Sequence, residues 1–227
     1  MMWFKMPSFY ICCIVYVGCR AFNNCFGVLL PFYLADVIEL GDDASGISFN
    51  LALVPLIVYA GASLTSSKLS ILYSLIGRKK ALVIGTMFGL VGLLGMYVLN
   101  VEYSHLVYYF AVFVGISSGL VLSTGVNLIT EVIGDKGKKG AFVYGFYGLI
   151  DKCVVGGSVY FVTHSGAYSN DGELTPDEVS YVRNTMISIP AISLIVATVA
   201  VLFFKVPEYK VVEKVDNDEP FSETEVS

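Results

Sequence analysis

Charged residues are scarce in this chain of 227 residues, where Lys, Arg, Asp and Glu together make up 15% and hydrophobic residues make up 56%. A water-soluble domain of this size covers its surface with many more charges, so the composition excludes a soluble enzyme or binding module. The few basic residues form no patch interleaved with aromatic side chains, and we therefore expect no nucleic-acid partner. The net charge of −5 comes from an acidic segment at 171–178 and an acidic tail after Asp216.

Cysteine and histidine are also rare, with five and two residues respectively. All five cysteines lie inside long apolar stretches, which predicts small buried packing residues and no disulfide framework. The two histidines, His105 and His164, stand at the ends of such stretches. We expect neither a metal site nor a cofactor.

One pattern imitates an enzyme signature. Gly115-Ile-Ser-Ser-Gly119 matches the G-x-S-x-G pattern of serine hydrolases, but that pattern needs a strand, a turn and a helix, and here it lies within an apolar stretch. A six-span intramembrane serine protease would need a histidine in its sixth span, where this chain has none. The three P-x-[DE]-x-x-[KR] repeats of mitochondrial carriers are absent too. The chain is therefore not expected to be an enzyme.

Long apolar stretches fill most of the chain. Each reaches or approaches the ~20 residues that an α-helix needs to cross the hydrocarbon core of a bilayer. The predicted spans are residues 8–36, 49–76, 81–99, 106–131, 141–163 and 185–205. They predict an all-α membrane protein with six transmembrane helices over residues 1–205, with the lipid bilayer as its main partner. The remainder, 206–227, has the composition of a disordered cytoplasmic tail.

Basic residues fall at alternate gaps between these spans. By the positive-inside rule, the side that carries them is cytoplasmic, so both termini are expected there and the acidic 164–184 segment is expected on the other side. The basic residues on this side are Lys5, Arg78, Lys79, Lys80, Lys136, Lys138, Lys139, Lys205, Lys210 and Lys214, whereas the 164–184 segment has only Arg183. A short link at 100–105 divides the spans into two triplets of opposite orientation. This division predicts two inverted three-helix repeats, as in half of a secondary transporter.

Three charged side chains lie near the middle of predicted spans, namely Arg20, Asp151 and Lys152. Each costs roughly 2.5–3.5 kcal/mol at the centre of a membrane helix on the insertion scale. Charges kept at such a cost usually face a cavity or a partner and mark the route of a solute or an ion. They are therefore candidate binding residues. An ion pair between Arg20 and Asp151 that holds two helices in register is an alternative that the sequence leaves open.

Polar neighbours extend this candidate site. Arg20 recurs with Asn23 and Asn24 at helical spacing, so the three side chains share one face of the first span. Three glycines at helical spacing share a face with Lys152 and leave room beside its side chain. The expected ligand is a small polar solute. The candidate substrate-binding residues are Lys152, Arg20, Asn24, Asn23, Asp151, Tyr144 and Asn127.

Several stretches resemble the C-terminal half of a major facilitator superfamily transporter. Thr130-Glu-Val-Ile-Gly134, Gly140-Ala-Phe-Val-Tyr-Gly145 and Leu149-Ile-Asp-Lys152 together are similar to a signature of the glycoside-pentoside-hexuronide cation symporter group. Ile76-Gly-Arg-Lys-Lys80 looks like the end of the cytoplasmic G-x-x-x-D-x-x-G-R-[KR] loop of the superfamily, although serines replace its first Gly and its Asp. Within the group, the chain most resembles the eukaryotic branch called major facilitator superfamily domain-containing protein 12.

The resemblance implies secondary transport by alternating access. In the bacterial sugar symporters, the lysine that matches Lys152 contributes near the substrate and cation site, and the animal branch imports cysteine into lysosomes and melanosomes. The family has twelve spans, so a missing N-terminal half or a second copy is an expected partner. The acidic residues that hold the coupling cation belong to that other half, so a coupling cation stays an open question.

A tetrapeptide after the last predicted span bears on location, and the family resemblance bears on the substrate. Tyr209-Lys-Val-Val212 fits a tyrosine-based sorting pattern, which favours a lysosomal or related endomembrane location over the plasma membrane. Cysteine or another small amino acid is the first candidate substrate. The alternatives are a sugar:cation symporter and a non-transporting membrane subunit that pairs with a full-length relative.

Overall fold

Helices make up almost all of the structure. The computed structural model of the chain describes residues 7–40, 49–133, 140–164 and 175–204, and these contain no β-strand. The helices are α1 (Pro7–Phe32), α2 (Phe49–Ser67), α3 (Leu69–Ile76), α4 (Arg78–Val98), α5 (Val107–Ile133), α6 (Gly140–His164) and α7 (Pro176–Phe203). A π-helical turn, Tyr33–Val37, continues α1, and a 3-10 helix, Val101–Leu106, precedes α5. The all-α expectation is confirmed, while the predicted tail at 206–227 lies outside the described residues.

In the part of the chain that the structure describes, length and apolarity identify four helical segments that could cross a membrane, and a bent pair of helices could form a fifth. The four segments are Pro7–Val37, Arg78–Val98, Val101–Thr130 and Pro176–Phe203. The 25-residue helix α6 is not among them, because Asp151 and Lys152 at its middle offset its apolar residues. The multi-pass membrane architecture is therefore supported with four or five spans. The division into six spans and two inverted repeats stays a prediction.

The second predicted span is broken. Residues 49–76 form α2 and α3, which meet at Lys68 with a bend of 58°. Near the break, the Thr65 hydroxyl donates to the Gly61 carbonyl at 2.8 Å and the Ser67 hydroxyl donates to the Ser63 carbonyl at 2.9 Å. Hydroxyl groups that bond back to the preceding turn often bend helices. The hydropathy of the sequence did not reveal this bend, because α3 is as apolar as α2.

The last helix begins earlier than predicted. The sixth span was expected to start at residue 185, but α7 starts at Pro176. Thr175 and Glu178 form a capping box, in which each side chain bonds to the backbone of the other residue. Hydropathy underestimated this helix because its first two turns are polar. Arg183, which was assigned to the acidic segment before the sixth span, therefore lies within α7.

α1 is the central helix, because it packs against α5, α6 and α7. Four of the five cysteines are buried on this helix, namely Cys12, Cys13, Cys19 and Cys25. The expectation that cysteines act as buried packing residues is confirmed for these four. It is wrong for Cys153, which is exposed on α6 because it lies on the side of that helix turned away from α1.

Glycines allow α5 to pack closely against two helices. A Cβ atom added at Gly115 would lie 2.7 Å from the carbonyl oxygen of Val58, and one at Gly119 would lie 2.6 Å from that of Ala62. Neither position can take a side chain unless the backbone of α2 moves. α4 approaches α5 through its own glycines, Gly85, Gly89, Gly92 and Gly95. Small residues at these positions therefore let the helix backbones approach closely.

α2 and α6 form the flanks of the bundle. α2 packs mainly on α5, and α6 packs mainly on α1. A Cβ atom added at several α6 glycines would meet no atom within 4 Å among the described residues, namely at Gly145, Gly148, Gly156 and Gly157. One face of α6 thus packs against α1, while the face that carries these glycines is open. The candidate site lies where α6 meets α1.

Candidate functional site

A buried carboxylate forms the centre of the candidate site. Asp151 of α6 is fully buried, and its Oδ2 atom accepts a hydrogen bond from Nε of Arg20 on α1 at 3.4 Å. Asn24, about one turn further along α1, donates from Nδ2 to Asp151 Oδ1 at 3.5 Å. Both carboxylate oxygens therefore have a donor on α1. The ion pair between helices that the sequence left open as an alternative is present.

Tyr147 fixes the face that α6 turns toward α1. It precedes Asp151 by four residues, so the two side chains lie on the same side of the helix. The buried Tyr147 hydroxyl donates to the carbonyl oxygen of Phe9 at 2.6 Å, and the two rings lie 5.1 Å apart. Sequence reasoning missed Tyr147, although its four-residue spacing from Asp151 was a signal that could have revealed it.

Lys152 points away from this contact. Neighbouring residues on an α-helix project about 100° apart, so Lys152 leaves the α1 interface that Asp151 enters. Its side chain is 73% exposed, and its Nζ atom lies 4.0 Å from Asp151 Oδ2. The predicted open space beside the lysine is confirmed, because the neighbouring glycines have no close contacts among the described residues. Lys152 is thus the accessible charge of the cluster.

The three charges of the cluster do not balance. Arg20 and Lys152 each carry a positive charge, and among the described residues Asp151 is the one acidic side chain that pairs with them. Arg20 also lies over the ring of Tyr16, with its Cζ atom 5.8 Å from the ring centroid, which favours a cation but adds no negative charge. An excess positive charge within an apolar medium is costly unless an anion accompanies it. An anionic group placed beside Lys152 would neutralise the cluster.

Asn23 lies next to Arg20 on α1 but makes different contacts. Its Nδ2 atom donates to the carbonyl of Cys19 at 3.0 Å, and its Oδ1 atom accepts a hydrogen bond from Ser118 of α5. A cavity of about 30 Å³ lies beside it, between α1, α2 and α5, and Tyr59 also lines this cavity. Such a volume suffices for one water molecule. The three residues predicted to share a face of α1 therefore contact two different helices. Arg20 and Asn24 contact α6, and Asn23 contacts α5.

Asn127 does not join the charged cluster. Its Nδ2 atom donates to the hydroxyl of Tyr73 on α3 at 3.3 Å, and that hydroxyl lies 2.8 Å from the hydroxyl of Thr124. These contacts attach the short helix α3 to α5. Sequence reasoning did not assign a role to Tyr73 or Thr124, because the bend that brings α3 against α5 was not predicted.

The structure therefore brings together four of the seven predicted site residues, namely Arg20, Asn24, Asp151 and Lys152. Tyr144 lies on the same helix as the last two and is 40% exposed, about two turns before Lys152. Asn23 and Asn127 contact other parts of the bundle. Within the described ranges, no group of three or more His, Cys, Asp or Glu side chains is arranged to hold a metal ion.

Comparison with known proteins gives consistent matches over most of the chain. The family model described as MFS/sugar transport protein matches residues 3–208. Major facilitator superfamily domain-containing protein 12 of Equus caballus is 26% identical over 160 residues, which cover 70% of this chain and 32% of that relative. The protein of the same name from Homo sapiens is 26% identical over 154 residues, which cover 68% of this chain and 31% of the relative. No solved structure matches the chain.

The relatives and the family model match this chain over different extents. The chain spans about a third of the length of the curated relatives it matches. The family model, in contrast, covers all seven helices of the structure. Together with the apolar helices, this match shows that the chain belongs to the MFS/sugar transport protein family of the major facilitator superfamily, whose members are multi-pass membrane transporters.

Proposed function

We propose that this chain forms one half of a secondary transporter that moves a small polar solute by alternating access. The observation that carries the proposal is the charged cluster at the middle of α6, where Asp151 is buried against α1 while the adjacent Lys152 is open. A purely structural cluster would need only the Arg20–Asp151 pair. The additional exposed lysine has no packing role among the described residues, so a role in binding accounts for it.

The excess positive charge favours a solute that carries a carboxylate. Asp151 already accepts from Arg20 and Asn24, so it neutralises Lys152 only in part. A zwitterionic amino acid could place its carboxylate on Lys152, and the open space beside the α6 glycines would admit it. Cysteine or another small amino acid is therefore the first candidate. A sugar is the second candidate, but it would leave the excess charge without a counter-charge.

The candidate residues take different roles in this proposal. Lys152 binds the anionic group, with Tyr144 on the same helix as a further contact. Asp151 holds α6 against α1 and orients Lys152, and Arg20 and Asn24 fix the position of Asp151. Asn23 and Asn127 act through helix packing, because their hydrogen bonds go to Ser118 and Tyr73.

A second half is part of the proposal. Substrate sites of transporters built from such repeats lie near the bilayer midplane, at the interface between repeats or halves, and alternating access moves one unit against the other. We place the other half on the open sides of α2 and α6. It is either further sequence of a longer protein or a second copy of this chain, and it would also supply the acidic residues for any coupling cation. The location that we propose is a lysosomal or related endomembrane, with both termini cytoplasmic.

Uptake by reconstituted protein tests this proposal. The purified chain would be separated into monomeric and assembled fractions, with crosslinking to identify each. Both would be placed in liposomes and offered labelled cysteine or a labelled sugar. We expect cysteine uptake by the assembled fraction and none by the monomer. Robust uptake by a crosslink-verified monomer would contradict the need for a second half, and a preference for the sugar would contradict the substrate. Absence of uptake by every assembled form would contradict transport itself.

A further inference from the structure

An apolar groove runs along the outside of the bundle, apart from the charged cluster. α2 and α4 both pack on α5, and the space between them remains open over a volume of about 740 Å³. The floor of the groove is a stripe of α5 at four-residue spacing, formed by Val112, Ile116 and Leu120. α5 contacts α1 through Ser118 and Gly125, which lie on another side of the helix. The groove is therefore turned outward from the centre of the bundle.

The short helix α3 forms the wall of one end of this groove. After the bend at Lys68, α3 contributes Ile71, Leu72 and Leu75 to the lining. Ile71 and Leu75 are 60% and 75% exposed, respectively, so α3 is an apolar helix with little protein cover. Contact of such a surface with lipid is favourable, whereas its exposure to water costs free energy.

The position of Lys68 relates the groove to one leaflet of the bilayer. α2 has 19 residues, so it is about 28 Å long at 1.5 Å per residue and matches the ~30 Å hydrocarbon core. Lys68 directly follows its last residue and therefore lies at the level of the lipid headgroups. The stripe from Val112 to Leu120 covers a further ~12 Å of helix length toward the bilayer centre. The groove thus extends through roughly one leaflet, on the side of Arg78 and Lys80.

Lys68 gives this end of the groove its charge. It is exposed, and it is the one charged residue among the described residues that line the groove. Thr65 also lines the groove, but its hydroxyl already donates to the Gly61 carbonyl. The leaflet on the basic side is expected to be cytoplasmic, where anionic lipids are concentrated. Charge and depth therefore match an anionic lipid headgroup above an acyl chain.

We infer that this groove binds one anionic phospholipid of that leaflet, with an acyl chain between α2 and α4 and the phosphate on Lys68. The lipid would support α3, which has few other contacts, in its bent position. This site is separate from the charged cluster on α6, so it does not depend on the proposed transport activity.

Lipid retention by the purified full chain, measured by native mass spectrometry, tests this inference. The protein would be incubated with equal amounts of phosphatidylserine and phosphatidylcholine of identical acyl chains. We expect one tightly held phosphatidylserine, retained about fivefold better than phosphatidylcholine, as one lysine near an anionic lipid would give (~1 kcal/mol). Lys68→Gln should remove this preference. The matched control Lys80→Gln, an exposed lysine on the same side but outside the groove, should preserve it.

A second pair of variants tests the acyl-chain part of the site. Leu64 lines the groove and is 72% exposed, whereas Leu94 is 60% exposed on α4 outside the groove. Leu64→Trp should lower the retention of both lipids, and Leu94→Trp should not. Equal retention of the two lipids, or equal effects of the two lysine variants, would overturn the inference. A dimer that persists after complete delipidation would also overturn the inference if a crosslink through Leu64→Cys joins its two chains. A second copy of the chain, and not a lipid, would then occupy the groove.

Discussion

Arg20 and Asp151 are separated by 131 residues, yet the guanidinium Nε of one lies 3.4 Å from a carboxylate oxygen of the other. This contact joins the central helix to a flanking helix that otherwise packs on few partners. It also sets the direction of Lys152, because a residue next to a buried aspartate on a helix must project to another side. The Arg20–Asp151 pair thus connects the stability of the bundle with the exposure of the candidate binding residue.

The first prediction concerns this ion pair. Asp151→Leu should lower the free energy of unfolding by about 1–3 kcal/mol, because Arg20 loses its partner. The loss should be smaller than for a fully buried pair, since the Arg20 side chain is 32% exposed. The double variant Arg20→Met/Asp151→Leu should recover most of the stability. Thermal unfolding of the detergent-solubilised chain, analysed as a double-mutant cycle, measures this coupling, and strictly additive effects would contradict it.

The second prediction concerns Lys152. Lys152→Met removes the charge but retains most of the aliphatic part of the side chain, so expression should be normal. Solute uptake by the assembled protein should fall by about tenfold or more, because loss of a charged contact worth ~1.4 kcal/mol lowers affinity by that factor. Lys152→Arg should restore uptake only in part, because a planar guanidinium presents its donors differently. Cys153→Ser, a change at the exposed neighbour, is the control and should leave uptake unchanged. Full transport by the methionine variant would remove Lys152 from the binding site.

The third prediction contrasts two glycines. Gly119→Val should destabilise the bundle by about 1–3 kcal/mol, because its Cβ would lie 2.6 Å from the Ala62 carbonyl oxygen and push α2 from α5. Gly148→Val on α6 should leave the stability of the isolated chain nearly unchanged, since no atom of the described residues lies within 4 Å of its Cβ position. Thermal unfolding of the two variants side by side provides the measurement. An equal loss at both positions would mean that α6 is covered in the isolated chain.

If Gly148 faces a second half, the same valine should act on assembly instead. We expect Gly148→Val to reduce the assembled fraction in size-exclusion chromatography while the monomer remains folded. An unchanged ratio of assembled to monomeric protein would place the partner on another face.

The fourth prediction concerns topology. A tag inserted after Gly172 should be inaccessible from the cytoplasm, and a tag at the C-terminus should be accessible, because the basic residues lie on the side of the termini. Antibody labelling after selective permeabilisation of the plasma membrane distinguishes the two sides. Cytoplasmic labelling after Gly172 would reverse the predicted orientation.

The helices themselves could be predicted because apolar runs of this length have few other solutions in a membrane. α1, α4 and α5 begin and end within a few residues of the expected spans. Errors arose where a local hydrogen bond, and not hydropathy, decides the geometry. At the bend, the backbone N–H of Lys68 donates to the Thr65 carbonyl three residues back at 3.1 Å, and the early start of α7 follows the capping box at Thr175.

The sequence could predict which charged residues form the candidate site, but it could not predict how they are arranged. The sequence by itself determined that Arg20, Asp151 and Lys152 would stand within apolar helices, since their charges interrupt otherwise apolar runs. It also determined the family to which the chain belongs. Only the tertiary structure decided that Asp151 is buried against α1, that Lys152 is open, and that Asn23 and Asn127 contact other helices. The periodicity of a helix fixes the angle between its own side chains but leaves free the rotation of the helix against its neighbours, and that rotation is set by the packing of residues far apart in the chain.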